Sequence, residues 1–309
     1  MSVQLLISCM NEDIQALLTK AQLNSPVIIV NQCDKDAEKH FVHKSHPVDV
    51  YHKNERGVGR SRNVALSKAD KEICLFGDED IVYVDGYEAL IDEEFAKHPE
   101  ADGILFQVEV TPERRTYMNT EWGKVSLFNC GRYPAYSMAF RTEKLHKTGV
   151  TFSLLFGGGA KYSNGEDSLF IRELIKAGMQ IYKSPVQIGE EIPRPSTWFT
   201  GYHEKFFFDR GVLYHFLYGA LAPVWGFRFV FTKKKEICKT IPWLKAYSIL
   251  LKGIKQGRKE KKEQELLRKE YIANVRMNLR AQLNNIDLVS EDGTVENLGE
   301  KYASNNKNS

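Results

Sequence analysis

Three acidic residues in a row, Asp78-Glu79-Asp80, follow a short apolar run at residues 72–77. Carboxylates this close repel one another, so the cluster is costly unless something positive joins it. A divalent cation shared with phosphate oxygens answers that repulsion. Mg²⁺ or Mn²⁺ takes one or two carboxylates and completes its shell with phosphate and water. The plainer alternative is an acidic turn that caps the following helix. A second cluster, residues 56–63 (RGVGRSRN), lies one helix upstream. Arg60 and Arg62 at that helix's start suit a diphosphate, with the N-terminal amides adding to the field; the alternative is a surface helix with solvated arginines. Its Gly-Val-Gly lacks the third glycine of a dinucleotide fingerprint, and the segment does not fit the phosphate-binding loop Gly-x-x-x-x-Gly-Lys-Ser/Thr. A third cluster joins Gly157-Gly158-Gly159 to Asn164-Gly165-Glu166-Asp167 at a helix entry. Carboxylates there can simply cap the helix. The glycine run, however, marks a backbone that passes close to something, and a carboxylate held beside it can serve as general base towards a hydroxyl.

The elements that must position these clusters alternate between strand and helix. Residues 3–8 (VQLLIS), 27–31 (VIIVN), 48–51, 72–77 and 103–110 read as strands, and residues 57–68 and 85–97 as helices. This rhythm predicts an α/β fold with a mainly parallel central sheet and helices on both faces. Ligands of such sheets bind beyond the carboxyl ends of the strands, where the acidic triplet falls. Residues 111–132 mix aromatics and charges without period and read as a substrate-facing excursion. Residues 138–141 are expected to be extended. Residues 167–178 form an amphipathic helix with Gly178 as its stop, and residues 180–182 a last strand before Pro185. After Pro195 the composition shifts. Residues 212–231 are a mostly apolar 20-residue run interrupted by His215, Pro223 and Arg228. Its length reaches that of a membrane span, but a buried helical pair or an aromatic face in the membrane interface fits the interruptions better. Residues 245–283 read as a highly charged helix. The expected organisation is a catalytic domain at 1–195, an aromatic and basic helical extension at 196–301, and a disordered tail at 302–309.

Composition bounds the function. The chain has 309 residues, 42% hydrophobic and 27% charged, which is ordinary for a soluble globular protein. Its five cysteines are scattered with no Cys-x-x-Cys, so a disulfide scaffold and a zinc ribbon are excluded and a reducing compartment is favoured. The opening residues lack the basic leader of a signal peptide, giving a cytoplasmic expectation. The net charge of +3 is uneven: residues 233–270 hold 13 Lys and Arg against 5 Asp and Glu, so the rest of the chain is net negative. A basic extension on an acidic body suggests an anionic surface as partner, or charges that only solvate exposed helix faces. We expect an anionic membrane and no nucleic acid.

Taken in order, the three clusters resemble the family 2 glycosyltransferases, inverting enzymes on the GT-A fold that include bacterial surface and exopolysaccharide enzymes. Residues 6–11 (LISCMN) resemble the first strand and turn of that family. Ser61-Arg62-Asn63 with Ala65, Leu66 and Ala69 resembles its Ala-Arg-Asn helix, Asp78-Glu79-Asp80 its Asp-x-Asp, and Gly165-Glu166-Asp167 with Arg172 and Ala177-Gly178 its catalytic-base segment. The likeness covers residues 3–185. It implies Asp80 and Asp78 as metal ligands, Mn²⁺ or Mg²⁺ as cofactor, and Asp167 as general base. It also implies Ser8, Asn31, Gln32, Asp34, Arg60, Arg62, Asp78 and Glu79 around a nucleotide sugar, most simply a UDP-sugar. Gly158, Gly159, Glu166 and Trp198 would lie on the acceptor side. Where the family carries a nucleoside-contacting aspartate at the end of the second strand, this chain has Asn31-Gln32-Cys33-Asp34. Either an amide replaces the carboxylate or Asp34 serves from a shifted turn. No Gln-x-x-Arg-Trp motif of processive synthases is present, so transfer of one sugar to a glycan or lipid-linked glycan is implied, at the inner face of the plasma membrane. Two rivals stand beside it: a sugar nucleotidyltransferase, and a non-catalytic membrane-associated protein on the same scaffold.

Overall fold

A computed structural model describes residues 1–111, 117–193, 201–289 and 295–298. The expectations placed on Trp198 and on the 302–309 tail lie outside the described residues. The chain forms two compact units, residues 1–254 and 255–309.

In the first unit β1 (Val3–Met10), α1 (Ile14–Lys20) and β2 (Val27–Gln32) are followed by a hairpin, β3 (Ala37–His43) and β4 (His46–Lys53). Next come α2 (Val58–Lys68), β5 (Ile73–Asp78), β6 (Ile81–Tyr83), α3 (Tyr87–Lys97), β7 (Gly103–Glu109) and the two-residue β8 (Gly123–Lys124). Then follow β9 (Met138–Arg141), α4 (Thr142–Thr148), α5 (Glu166–Lys176) and β10 (Ile181–Glu191). All ten strands form one sheet, ordered β3-β4-β2-β1-β5-β9-β7-β10-β6, with β8 on β10. Strands β4, β2, β1 and β5 run parallel, as do β7 and β10, whereas β9 enters antiparallel between β5 and β7. The sheet is therefore mixed, as in GT-A folds.

Both faces of the central strands are buried, which explains their continuous apolar runs. Alternation sends Leu5 and Ile7 of β1 and Val27 and Ile29 of β2 into one core, with Leu17, Ile91 and Phe95. It sends Leu6, Ile28 and Val30 into the other, with Ala65, Leu66, Phe170 and Leu174 from α2 and α5.

The first unit continues past residue 195, the boundary expected from composition. Helices α6 (Glu204–Tyr218), α7 (Ala222–Thr232) and α8 (Lys234–Ile237) lead into the long α9 (Trp243–Leu283), which crosses from one unit into the other. The apolar 212–231 run is broken at Gly219 (φ +56°) into two packed helices, the helical-pair alternative. No helix among the described residues is long and apolar enough to cross a membrane. Gly211 of α6 and Gly253 of α9 let the two backbones touch, their Cα atoms so close that a Cβ on either would collide with the other helix. In the second unit, β11 (Asp287–Val289) and β12 (Val295–Asn297) pair antiparallel after the distal part of α9.

Candidate active site

Residues from three distant stretches meet at Arg62. This arginine lies on α2 and is 4% exposed. Its Nη2 donates to Asp78 Oδ1 at 3.0 Å and Oδ2 at 3.3 Å. Its Nη1 donates to Asp167 Oδ1 at 2.8 Å and to Glu166 Oε1 at 3.3 Å. Asp78 closes β5, while Glu166 and Asp167 open α5. Burial opposes the charge on Arg62, yet Asp78, Asp167 and Glu166 raise its pKa above the ordinary value. Asp167 moves the opposite way from a normal paired carboxylate. Burial, Glu166 and Asp78 together push it up to about 7, against the lowering pull of Arg62 and of the Ala135 amide that donates to its Oδ2 at 3.1 Å. One guanidinium shared by three carboxylates cannot hold all of them in the ordinary range.

The local sequence explains this placement. Asn63, next to Arg62, clamps the backbone of Phe152: its Nδ2 donates to the Phe152 carbonyl at 3.0 Å and its Oδ1 accepts the Phe152 amide at 2.7 Å. Phe152 in turn stacks on Phe170 of α5 at 3.9 Å, so α2 and α5 are locked in register. The glycine run is what the sequence suggested, a close approach. Val58 donates to the Gly158 carbonyl at 2.9 Å, and a Cβ on Gly159 would lie 3.1 Å from Gly57. At Gly157 (φ +101°) a Cβ would come within 2.7 Å of the Glu166 carboxyl carbon. The glycines seat the loop on α2 and on Glu166; Gly158 and Gly159 are not among the cleft-lining residues.

A cleft of about 450 Å³ opens over this cluster. Arg62, Asp78, Asp80, Glu166, Asp167 and Glu191 line it, with Gln107, Asn119, Tyr117, Arg132 and Tyr133 on another wall and Arg210, Tyr214 and Tyr218 from α6. Among the described residues, five carboxylates and three guanidiniums line it. The excursion at 111–132 thus contributes to the cleft as expected, in its described part. The contribution of α6 was missed, because its Arg210 and tyrosines sit in a run whose aromatic density reads as core.

Other expected site residues lie elsewhere. Arg60 is exposed and pairs with Glu55 at 3.6 Å, away from the cleft lining, so it is not a partner of Arg62. Asn31 is spent on the turn after β1: its Nδ2 donates to the Glu12 carbonyl at 2.9 Å and its Oδ1 accepts the Glu12 amide at 3.3 Å. Gln32 Oε1 accepts the Gly57 amide at 2.6 Å and its Nε2 donates to Ser61 at 3.4 Å. Asp34 is left at the surface with Arg56 on it at 2.7 Å. Ser8 is buried beside Asp78 in the β1–β5 register, its hydroxyl without a hydrogen-bond partner. Glu79 is half-buried in the turn after Asp78. Among the described residues no three His, Cys, Asp or Glu side chains gather as a metal cage. Asp78, whose two oxygens accept from Arg62, and Asp80, two residues on, are of the chemistry that a hard cation takes, one or two carboxylates with its other ligands on phosphate and water.

Residues 7–159 match the model of glycosyl transferase family 2. The chain carries a family 2 glycosyltransferase domain. Residues 252–296 match a second model, that of a bacterial protein of unknown function (DUF896). No curated protein matches the chain. Among solved structures, S. aureus TarS 1–349 in complex with UDP-GlcNAc aligns with a TM-score of 0.58 at 16% identity, over 82% of this chain and 81% of that one. The same protein in complex with UDP gives 0.53 at 17% identity over the same shares. At these identities the likeness is one of fold, and it extends the GT-A comparison beyond the stretch matched by the family 2 model. The family 2 segment contains Arg62, Asp78 and Asp80, whereas Glu166, Asp167 and Arg210 come after it in the chain.

Proposed function

We propose that this glycosyltransferase moves one sugar from a UDP-sugar to a hydroxyl of a glycan or lipid-linked glycan, with inversion. The observation that carries the reading is the convergence of Asp78, Glu166 and Asp167 on buried Arg62 at the floor of one cleft. The UDP preference draws on TarS, captured with UDP-GlcNAc and with UDP.

Asp167 is the general base. Its carboxyl takes the proton of the acceptor hydroxyl as that oxygen attacks the anomeric carbon from the face opposite the donor phosphate. The new bond joins acceptor oxygen to anomeric carbon. The bond from that carbon to the phosphate oxygen breaks, and its electron pair leaves with the nucleoside diphosphate. A raised pKa suits this role, because a base matched to neutral pH accepts the proton with more driving force than an ordinary aspartate. Arg62 has its Nη donors on carboxylates and acts as a positioning residue for Asp78 and Asp167, in place of the diphosphate contact expected from the sequence. Asp80 and Asp78 would hold Mn²⁺ or Mg²⁺, which when bound offsets the charge growing on the departing diphosphate. With the Asn31 and Gln32 side chains spent on other partners, Asp34 is the carboxylate left for the nucleoside.

The membrane reading is supported by α7 and the lysines after it. Leu221, Val224, Phe227 and Phe231 are exposed, and Lys233, Lys234 and Lys235 come next in the chain. Apolar rings edged by lysines suit an anionic membrane interface, which would hold the enzyme at a lipid-borne acceptor.

Incubation with a panel of nucleotide sugars and Mn²⁺, with nucleotide release as the readout, tests the proposal. Slow UDP release from one UDP-sugar, abolished by chelator, is the expected result. No release from any nucleotide sugar, together with no UDP binding, would remove the proposal.

A further inference from the structure

The second unit leaves an apolar stripe of α9 without cover. In the first unit this helix packs through residues four apart, Ala246, Leu250 and Ile254, all of them buried. The spacing of four resumes at Leu267, Tyr271, Val275, Leu279 and Leu283, which follow one another along one side of the helix. Here Leu267, Tyr271 and Leu279 are each more than half exposed, and Val275 and Leu283 are half-buried. Among the described residues none of the five joins a hydrophobic core cluster. The stripe runs for about 25 Å along the helix axis. A helix draws most of its stability in water from such a face packed on something.

The sequence says what covers it. The stripe is symmetric about Val275: Leu267 and Leu283 stand eight residues to either side, and Tyr271 and Leu279 four. A second copy of the helix, laid antiparallel across a two-fold axis at Val275, sets Leu267 against the partner's Leu283 and Tyr271 against the partner's Leu279. Val275 then meets its own copy. Charge agrees with that direction. Residues 255–262 hold five Lys and Arg against one Glu, whereas residues 284–296 hold four Asp and Glu and no Lys or Arg. An antiparallel pair brings the basic end of each helix towards the acidic end of the other, and a parallel pair would set like on like. An anionic lipid surface does not suit this stretch, because residues 264–296 hold six Asp and Glu against four Lys and Arg. We infer that the second unit is a self-association module, joining two copies of this chain through antiparallel α9 helices that meet at Val275.

Sedimentation equilibrium of the full chain over a range of concentrations tests the face. The wild type should form a dimer, and added salt should weaken it because charged ends meet. Val275→Asp sets two carboxylates against each other at the axis and should raise the dimer dissociation constant at least ~10-fold. Met277→Asp, an exposed residue on the opposite side of the helix, should leave the dimer as it is. Direction is read by cross-linking under mild oxidation in a Cys238→Ser background, which removes an exposed thiol. Val275→Cys should form a disulfide with its own copy, whereas Leu267→Cys should do so only when mixed with Leu283→Cys. These smaller changes carry the test if Val275→Asp does not fold. A wild type that stays monomeric at every concentration would overturn the proposal, as would a dimer equally tight in Val275→Asp and Met277→Asp. A disulfide formed by Leu267→Cys alone would make the pair parallel and overturn it too.

Discussion

Asp167 shares Arg62 with Asp78 and Glu166, and this sharing sets both its chemistry and its cost. A carboxyl pushed up to about 7 is protonated in mild acid and cannot take the acceptor proton there. The transfer rate at saturating substrate should therefore rise with pH through a limb centred near 7. A rate flat between pH 5.5 and 8.5 would contradict the assignment. Removing the shared cation exposes the cost. Arg62→Met leaves three carboxylates facing one another around a buried site, a change of about 3–5 kcal/mol at neutral pH. Without the arginine that lowers it, the Asp167 pKa rises further, so the folded state binds protons more readily than the unfolded chain. The deficit should be largest at high pH and shrink as pH falls through the raised Asp167 value. Urea unfolding of wild type and variant at pH 8 and pH 5 reads this directly, and a deficit that grows in acid would refute the shared-cation account. The sequence singled out Arg62, Asp78 and Asp167 in three separate clusters, because residue type and order suffice for that, but it gave Arg62 to a diphosphate and did not show the two carboxylates converging on it. It did not show that Asn31 and Gln32 point at backbone amides and carbonyls, since an amide side chain looks the same in sequence whether it meets a ligand or a neighbouring turn.

At the scale of elements, the site depends on how α5 starts. Gly165 has φ +113° and no room for a Cβ beside Leu213. Gly165→Ala should cost about 1–3 kcal/mol through backbone strain alone, with the clash adding to it. It should also lower kcat more than UDP affinity, because it displaces Asp167 and leaves β5 in place; equal losses in both would mean that α5 does not position the chemistry. Helices and strands buried on a clear face were legible: β1, β2, α2, β5 and α5 follow their apolar periodicity. Residues 48–51 were read as a strand and lie in β4, but β3 and the turn that joins it to β4 were not. β3 is an edge strand of mostly exposed residues, and its turn places Lys44 (φ 45°) and Ser45 (φ 69°) in the left-handed region without the glycine or asparagine that marks such turns. β10 was expected to stop before Pro185 but runs through it to Glu191, because the register against β7 shifts between Lys183 and Gln187 and the proline falls in that irregular stretch.

At the scale of the molecule, the aromatic helices have two jobs. α6 completes the cleft wall with Arg210 and Tyr214, and the exposed rings of α7 face outward. The wild type should sediment with anionic vesicles at low salt and be released at high salt. Phe227→Ser with Phe231→Ser should weaken binding without changing UDP affinity, and a wild type that ignores anionic vesicles would leave the lysines as solvated charge. The central claim is narrower: Asp167 performs the proton transfer at a site that binds the donor without it. It is tested by UDP affinity and single-turnover rate measured on the same preparations of wild type, Asp167→Asn and Glu166→Gln. The account expects near-equal UDP affinity in all three, a rate lower by roughly 10²–10⁴ in Asp167→Asn, and a milder loss in Glu166→Gln. An Asp167→Asn enzyme as fast as wild type, or a dead Glu166→Gln beside an active Asp167→Asn, would contradict it.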